Sequence, residues 1–494
     1  MTRTLAAAPG VSLAFVATLA LAAIAVRNGF VADDTLRLWA GASTAADGEV
    51  SIGRIVAGYP SLPFLVTTLV AWLAPAGAPA PALVAAGLFA IFAACCFHGL
   101  RKAGWSYVTA AAITLLIGFH PALLRAVVAG PADMFLALFL LMLCFALYNL
   151  RARSDTSEVM AVGLALMALA FSHPLGAAFA FASVPFLVFA VRPMLVANSA
   201  LNVVVALIFP TLFVVAAFSY VSWIFPGDGW SFFAAPAESL SLWSAAVTRV
   251  FGDGISGILA IDAILAMGAA IAIGAPVAVI LLAFAYRRRP LVDPAAVFFA
   301  AALAATALCV LSGFFGDPTA VVVAAPVLTA AAVTRIPIAR ERVALVVAFL
   351  AIGWVGGFFS LTLVDPITVN QIHAVFERGT SERLDAVEAG GAAAGRDGVL
   401  ADTDNAPAFV LGRGRARGIL GPQSEPFALA MLFSRIDTPF VAVPDPQSAT
   451  GANDRLNKAF PSLFHDGLSG YRIVYQNNTW RLFGRLPDGT VHNQ

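Results

Sequence analysis

Long apolar runs separated by short polar loops fill the first three quarters of the chain. Runs at 10–26, 80–98, 105–119, 132–150, 158–172, 174–191, 199–224, 257–285, 294–313, 318–334 and 343–363 predict helices that cross a bilayer, which takes about 20 apolar residues each. The first run follows Arg3 and resembles a signal peptide; because so many spans come after it, an uncleaved first transmembrane helix is expected. The run Leu62–Ala74 is bracketed by Pro60, Pro63 and Pro75 and is too short to span, so it predicts an interfacial or re-entrant helix. The expected fold is a polytopic α-helical membrane protein with about 11 spans.

The pattern changes after residue 366. Short β-like runs (Gly398–Ala401, Ala408–Leu411, Phe440–Val443, Tyr471–Tyr475, Trp480–Phe483) alternate with helical stretches near 369–389 and 425–435. Pro444-Asp445-Pro446 and Pro487-Asp488-Gly489 supply turns. Two parts follow: a transmembrane domain over 1–366 and a soluble α/β domain over 367–494.

Composition sharpens the division. The chain is 60% hydrophobic and 12% charged, with a mean hydropathy of +0.87; soluble domains carry about 25% charged residues. Residues 1–366 hold 17 Lys+Arg and 15 Asp+Glu, whereas the shorter tail holds 12 and 13. A net charge of +1 leaves no basic stripe for nucleic acid. The four cysteines all lie in apolar runs and imply neither disulfide framework nor zinc site. With a cytoplasmic N-terminus and a non-crossing 62–74, twelve basic residues of the first part fall inside. Only Arg27, Arg37, Arg54, Arg125 and Arg249 fall outside. That orientation places the C-terminal domain on the outer face of the membrane.

The outer face then collects the chemistry. Asn28-Gly-Phe-Val-Ala-Asp33-Asp34-Thr35 closes the first span and Gly58-Tyr59-Pro60-Ser61-Leu62 follows. Adjacent carboxylates at a membrane surface repel and lose hydration, and they suit a cation, a metal or a proton transfer; ordinary solvated acids at a loop start are the plainer alternative. Asp133, in Gly130-Pro131-Ala132-Asp133, stands at the outer mouth of a span, as a helix cap or as a third converging acid. His120 and His173 each precede a proline at a span end, where they mark a helix end or bind a metal or phosphate. Arg54 and Arg125 lie nearest the acids in sequence and are the candidate phosphate clamps. Gly412-Arg-Gly-Arg-Ala-Arg-Gly418 reads as a basic turn with a weak claim to anion contact, and Asn477-Asn478-Thr479 is a formal glycosylation pattern without assigned role.

An acid pair after span 1, a Tyr-Pro-x-Leu-Pro turn with a short helix, and an acid atop a later span together resemble the GT-C superfamily of integral-membrane glycosyltransferases. The nearest group is the bacterial relatives of protein O-mannosyltransferases and lipid A aminoarabinose transferases. The motifs cover roughly residues 10–190. The resemblance implies a polyprenyl-phosphate sugar donor and inverting transfer to a lipid, glycan or protein acceptor at the periplasmic face. Asp33 matches the first position of the family's acid pair, as general base or as metal or acceptor ligand. Asp34 and Asp133 match the other acids. Tyr59 and Pro60 match its Pro-Pro-Leu turn, with Ser61 in place of the second proline. The aromatic residue that often follows the family's acids is replaced by Thr35-Leu36-Arg37-Leu38. Arg54, Tyr59, Pro60, His120, Arg125 and His173 are the expected substrate-binding residues, and Asp33 and Asp133 the expected ligands of a divalent metal ion.

Two other readings compete. A secondary transporter suits the span count, but such proteins carry ionisable residues or broken helices near mid-membrane. An outer-face polysaccharide polymerase or ligase also uses lipid-linked sugars, but tends to rely on a large arginine-rich late loop; the 225–256 loop has one arginine, Arg249.

Overall fold

The computed structural model describes residues 16–20, 24, 32–48, 60–75, 77–153, 155–191, 193–224, 238–252, 254–288, 293–313, 315–336, 340–364, 381–422 and 424–486. By its contacts the chain forms two compact units. One comprises Met1–Ala22, Val56–Pro63 and Val84–His373; the other comprises Ala23–Ile55, Phe64–Leu83 and Ala374–Gln494. The boundary near 373 lies close to the composition change at 366. The second unit, however, also takes in two stretches from the start of the chain.

Helices dominate. The first are α1 (Asp33–Ala46), α2 (Ser61–Leu73), α3 (Ala80–Lys102), α4 (Tyr107–Gly118), α5 (Pro121–Ala129), α6 (Pro131–Arg153), α7 (Thr156–Ser172) and α8 (Pro174–Ala190). Then follow α9 (Pro193–Ile224), α10 (Glu238–Phe251), α11 (Leu259–Gly274), α12 (Pro276–Arg288), α13 (Pro294–Ser312), α14 (Pro318–Val322), α15 (Ala324–Val333) and α16 (Arg340–Val364).

Among the described residues, α3, α6, Leu201–Tyr220 of α9, α13 and Val343–Val364 of α16 are long and apolar enough to cross a membrane. Two further pairs qualify together but are bent, α4 with α5 by 60° and α11 with α12 by 100°. The chain is therefore a helical membrane protein, with five such helices among its described residues, or up to seven if each bent pair is one span. Of the eleven spans expected from the sequence, the first, over 10–26, lies mostly outside the described residues, and other runs differ from the expectation in geometry. α7 and α8 have 17 residues each and rise only roughly 25 Å, short of the ~30 Å hydrocarbon core. The run expected as one span over 257–285 breaks at Ala275–Pro276, because proline cannot donate to the preceding turn. The run over 318–334 divides into α14 and α15. Residues 121–129, expected as outer loop, are the helix α5.

α6 is apolar on every side and buried along nearly its whole length, through Met134, Leu136, Leu141, Leu143, Cys144 and Leu147, as a helix at the centre of a bundle should be. It packs on α7 and α15, while α8 packs on α13. α9 behaves oppositely and leaves Leu201, Phe209 and Phe213 exposed, which suits hydrocarbon rather than water.

In the second unit the described elements after residue 380 are α17 (Ser381–Ala392), β1 (Val399–Leu400), α18 (Pro407–Arg413), β2 (Ile419–Leu420), α19 (Glu425–Phe433), β3 (Phe440–Pro444), α20 (Ala449–Asn453), α21 (Arg455–Ala459), α22 (Leu463–Asp466), β4 (Tyr471–Gln476) and β5 (Trp480–Arg485). The sheet order is β2-β1-β3-β5-β4, with β1 parallel to β2 and β3 and with β5 antiparallel to β3 and β4. Four of the five expected strand runs are strands. Ala408–Leu411 is instead the helix α18, started by Pro407 and pressed against α17. That contact requires glycine on both sides: a Cβ on Gly390 would lie 2.1 Å from the Phe409 carbonyl oxygen, and one on Gly412 would lie 2.1 Å from that of Val387.

Candidate functional site

Among the described residues seven helices of the membrane unit begin with proline, where its missing N–H costs nothing, and four of them, α5, α6, α8 and α14, bear on the site. Each carries a polar residue beside that start. His120 caps α5, its Nδ1 accepting from the Ala122 N–H at 3.2 Å. His173 caps α8, its Nδ1 accepting from the Leu175 N–H at 3.0 Å. Asp317 caps α14, its Oδ1 accepting from the Thr319 N–H at 2.8 Å. Asp133 sits in the first turn of α6.

These caps set the histidine tautomers. A ring nitrogen that accepts is unprotonated, so in neutral His120 and His173 the proton is on Nε2, which then donates. The His173 Nε2–H donates to Asp133 Oδ1 at 3.0 Å. The His120 Nε2–H donates to the Gly274 carbonyl oxygen at 3.2 Å, at the break between α11 and α12. Both His-Pro pairs stand at helix ends, though with buried rings, and His173 combines that position with a carboxylate contact.

Asp133 is engaged through both oxygens. Oδ2 accepts from Arg125 Nη1 at 2.6 Å, and Arg125 Nη2 pairs with Asp317 Oδ2. One guanidinium thus stands between two carboxylates with His173 alongside, and Asp133 and His173 are buried. The Phe315 ring meets the His173 ring edge-on at 5.1 Å, and the Phe315 carbonyl oxygen accepts from Trp243 Nε1 at 2.7 Å. Of the two readings of Asp133, helix cap or converging acid, the structure shows neither alone: Asp133 joins a partly buried ionic cluster. Ionic groups within a membrane domain are costly and mark functional positions by default.

Asp33 and Asp34 lie in the other unit, in the first turn of α1, where acids complement the helix dipole. Asp33 Oδ1 pairs with Arg383 Nη2 of α17, its side chain 74% exposed. Asp34 is 98% exposed and 3.9 Å from Arg37. At the other end of α1, Asp47 Oδ2 accepts from the Ala416 N–H at 2.6 Å and the Arg417 N–H at 3.2 Å. The anion held by the Gly412–Gly418 turn is thus a carboxylate of this chain. Its Arg413 side chain turns inward to the carbonyl oxygens of Ala393, Arg396 and Arg417.

Arg54 and Tyr59 lie outside the described residues, and Pro60 immediately precedes α2. The structure brings Arg125, Asp133 and His173 together and holds His120 apart from them on Gly274. Sequence reasoning missed Asp317 and Arg383. Asp317-Pro318 repeats the polar-proline helix start of His120-Pro121 and His173-Pro174, and that repetition was the available signal; Arg383 carries none.

Among the described residues no group of three or more His, Cys, Asp or Glu side chains is placed to hold a metal ion. A divalent ion at Asp133 would have to displace Arg125 and His173 from its two oxygens, so these residues do not fit a metal. No family model matches the chain, and no curated protein matches it.

Proposed function

We propose that the chain is an inverting glycosyltransferase of the bacterial inner membrane. It moves a sugar from a polyprenyl-phosphate donor to a lipid, glycan or protein acceptor at the periplasmic face, where the α/β domain also lies. The observation that carries this reading is the partly buried Arg125–Asp133–Asp317–His173 cluster, in which two carboxylates hold one guanidinium and the imidazole holds one of those carboxylates. A positioned guanidinium is the group that developing phosphate charge calls for. In the reaction an acceptor hydroxyl oxygen bonds to the anomeric carbon, and the bond from that carbon to the phosphate oxygen breaks. Polyprenyl phosphate departs with the electron pair. Asp33, an exposed carboxylate, takes the hydroxyl proton as general base, and Asp34 orients the acceptor.

Transfer assays with lipid-linked sugar and acceptor test it. Asp33→Asn and Asp133→Asn should each lower the rate at least about 100-fold, the low end for general-base loss. Activity of Asp33→Asn within a few-fold of the unmodified chain removes Asp33 from the chemistry.

One observation favours transport as a second reading. Two apolar helix pairs are broken, and the breaks meet where the His120 Nε2–H reaches the Gly274 carbonyl oxygen; discontinuous helices form the substrate and ion sites of many transporters. Counterflow of a soluble substrate in proteoliposomes would support it over transfer.

A further inference from the structure

A second cluster lies in the α/β unit and is independent of the glycosyltransferase reading. The three parallel strands run in the order β2-β1-β3. After β1 the chain turns to one side to form β2 and then crosses to the other side to form β3. In parallel sheets, ligands bind at the carboxyl ends of the strands where the order reverses in this way, here between β1 and β3. Asp402 follows β1 directly, and Asp454 and Asn457 lie in the segment after β3.

The 454–457 segment is tied to Asp402 and to the end of β3 through its backbone and the Asn457 amide. Asp402 Oδ2 accepts from the Arg455 N–H at 2.9 Å and from Asn405 Nδ2 at 2.7 Å. Asp454 Oδ1 accepts from the Asn457 N–H at 2.8 Å. Asn457 Nδ2 donates to the Pro444 carbonyl oxygen at the end of β3, at 2.9 Å, and to that of Gly451 at 3.3 Å. Each therefore has one oxygen committed or one amide group oriented, and each has a second oxygen with no partner: Asp402 Oδ1, Asp454 Oδ2 and Asn457 Oδ1. The residues are 1%, 0% and 6% exposed, so water outside the protein does not reach these atoms. The nearby cation, Arg455, has its guanidinium on Asp404 at 3.2 Å. Two buried carboxylates and an amide oxygen without donors are costly unless a cation or a hydrogen-bond donor meets them.

We propose that Asp402, Asp454 and Asn457 bind a divalent cation of the hard, oxygen-seeking kind, with Ca²⁺ the best match, at the carboxyl ends of β1 and β3. The donor set is entirely oxygen, which selects Ca²⁺ or Mg²⁺ over zinc or copper. Ca²⁺ tolerates the mixed carboxylate and amide ligation that Mg²⁺, with its stricter octahedron, accepts reluctantly. Asn405 also lines a polar cleft of about 430 Å³ with Arg37, Thr44, Thr403, Asp404 and Ser424, which brings solvent to the neighbourhood of Asp402. The cation fastens the segment after β3 to the loop after β1 and so stabilises the fold of this unit.

The test uses the full chain in detergent, stripped with EDTA and dialysed. Equilibrium dialysis with CaCl₂ should give about one Ca²⁺ per chain, and Ca²⁺ should raise the melting temperature in a saturable way, as a ligand of the folded state alone must. Mg²⁺ should act more weakly. Asp402→Asn with Asp454→Asn should abolish both effects, Asn457→Asp should keep or strengthen them, and Asp437→Asn, remote and exposed, should leave them intact. Absence of bound Ca²⁺ on the unmodified chain overturns the proposal even if the double variant fails to fold. Binding that persists in a folded double variant overturns it too. So does melting that ignores Ca²⁺ and rises on Asp454→Asn, which would mean that the two carboxylates share a proton instead.

Discussion

Asp33 of α1 is ion-paired with Arg383 of α17, 350 positions further along the chain. The candidate base of the first outer segment is thus held by a residue of the C-terminal region, and its helix α1 packs on α18 of the same unit. Arg383→Ala should cost little stability, under about 1 kcal/mol, since exposed ion pairs contribute little. Transfer activity should fall about tenfold or more through loss of Asp33 orientation, and Arg383→Lys should restore part of it. Melting curves and transfer rates measured together separate the two effects; equal activity in all three chains would leave the pair with a structural role only.

Arg125 bonds both Asp133 and Asp317. Removing one partner of a buried ionic group leaves the others uncompensated, which costs about 3–5 kcal/mol. Arg125→Ala should therefore lower the melting temperature sharply. Arg125→Lys should recover only part, because a single ammonium cannot bridge two carboxylates as a planar fork does. A thermal melt of the purified chain in detergent reads the difference.

The glycines of α16 make a sharper packing test. A Cβ on Gly356 would lie 2.2 Å from the Ile273 carbonyl oxygen, and one on Gly357 would lie 2.4 Å from His120 Cε1. Gly356→Ala meets backbone that cannot turn aside and should cost about 1–3 kcal/mol, as overpacking does. Gly87 of α3 has nothing within 4 Å of the added carbon, so Gly87→Ala should be neutral or stabilise by about 0.5–1 kcal/mol through helix propensity. Comparable losses in both variants would show that α16 does not pack this closely.

Asp47 receives two backbone N–H groups from the turn at 416–417. Asp47→Ala should cost about 1 kcal/mol, with water compensating part of the loss at this exposed site. Asp47→Asn retains an acceptor and should cost less. Faster proteolysis within 412–418 in Asp47→Ala, absent in Asp47→Asn, would locate the effect at this turn.

The helical membrane class was legible because apolar runs of about 20 residues have few other uses. Break positions were less so: Ala275–Pro276 and His120–Pro121 read as the middle and the end of apolar runs, and only the angle between the helices made each a break. Ala408–Leu411 read as a strand because four apolar-rich residues lack a decisive period. Its close packing through Gly390 and Gly412 made it a helix.

The site divides in the same way. Residue type and local spacing alone marked Asp33, Asp133, His173 and Arg125, because carboxylates, imidazoles and guanidinium groups at span ends are costly and few. They also marked two His-Pro pairs as helix ends; the hydrogen bonds that place the proton on Nε2 came from the structure. Which of these residues meet depended on tertiary structure. Asp317 reaches Arg125 across 192 positions and Arg383 reaches Asp33 across 350. No local period encodes such partners, because a hydrogen bond depends on where folded backbones place two groups and not on their separation along the chain.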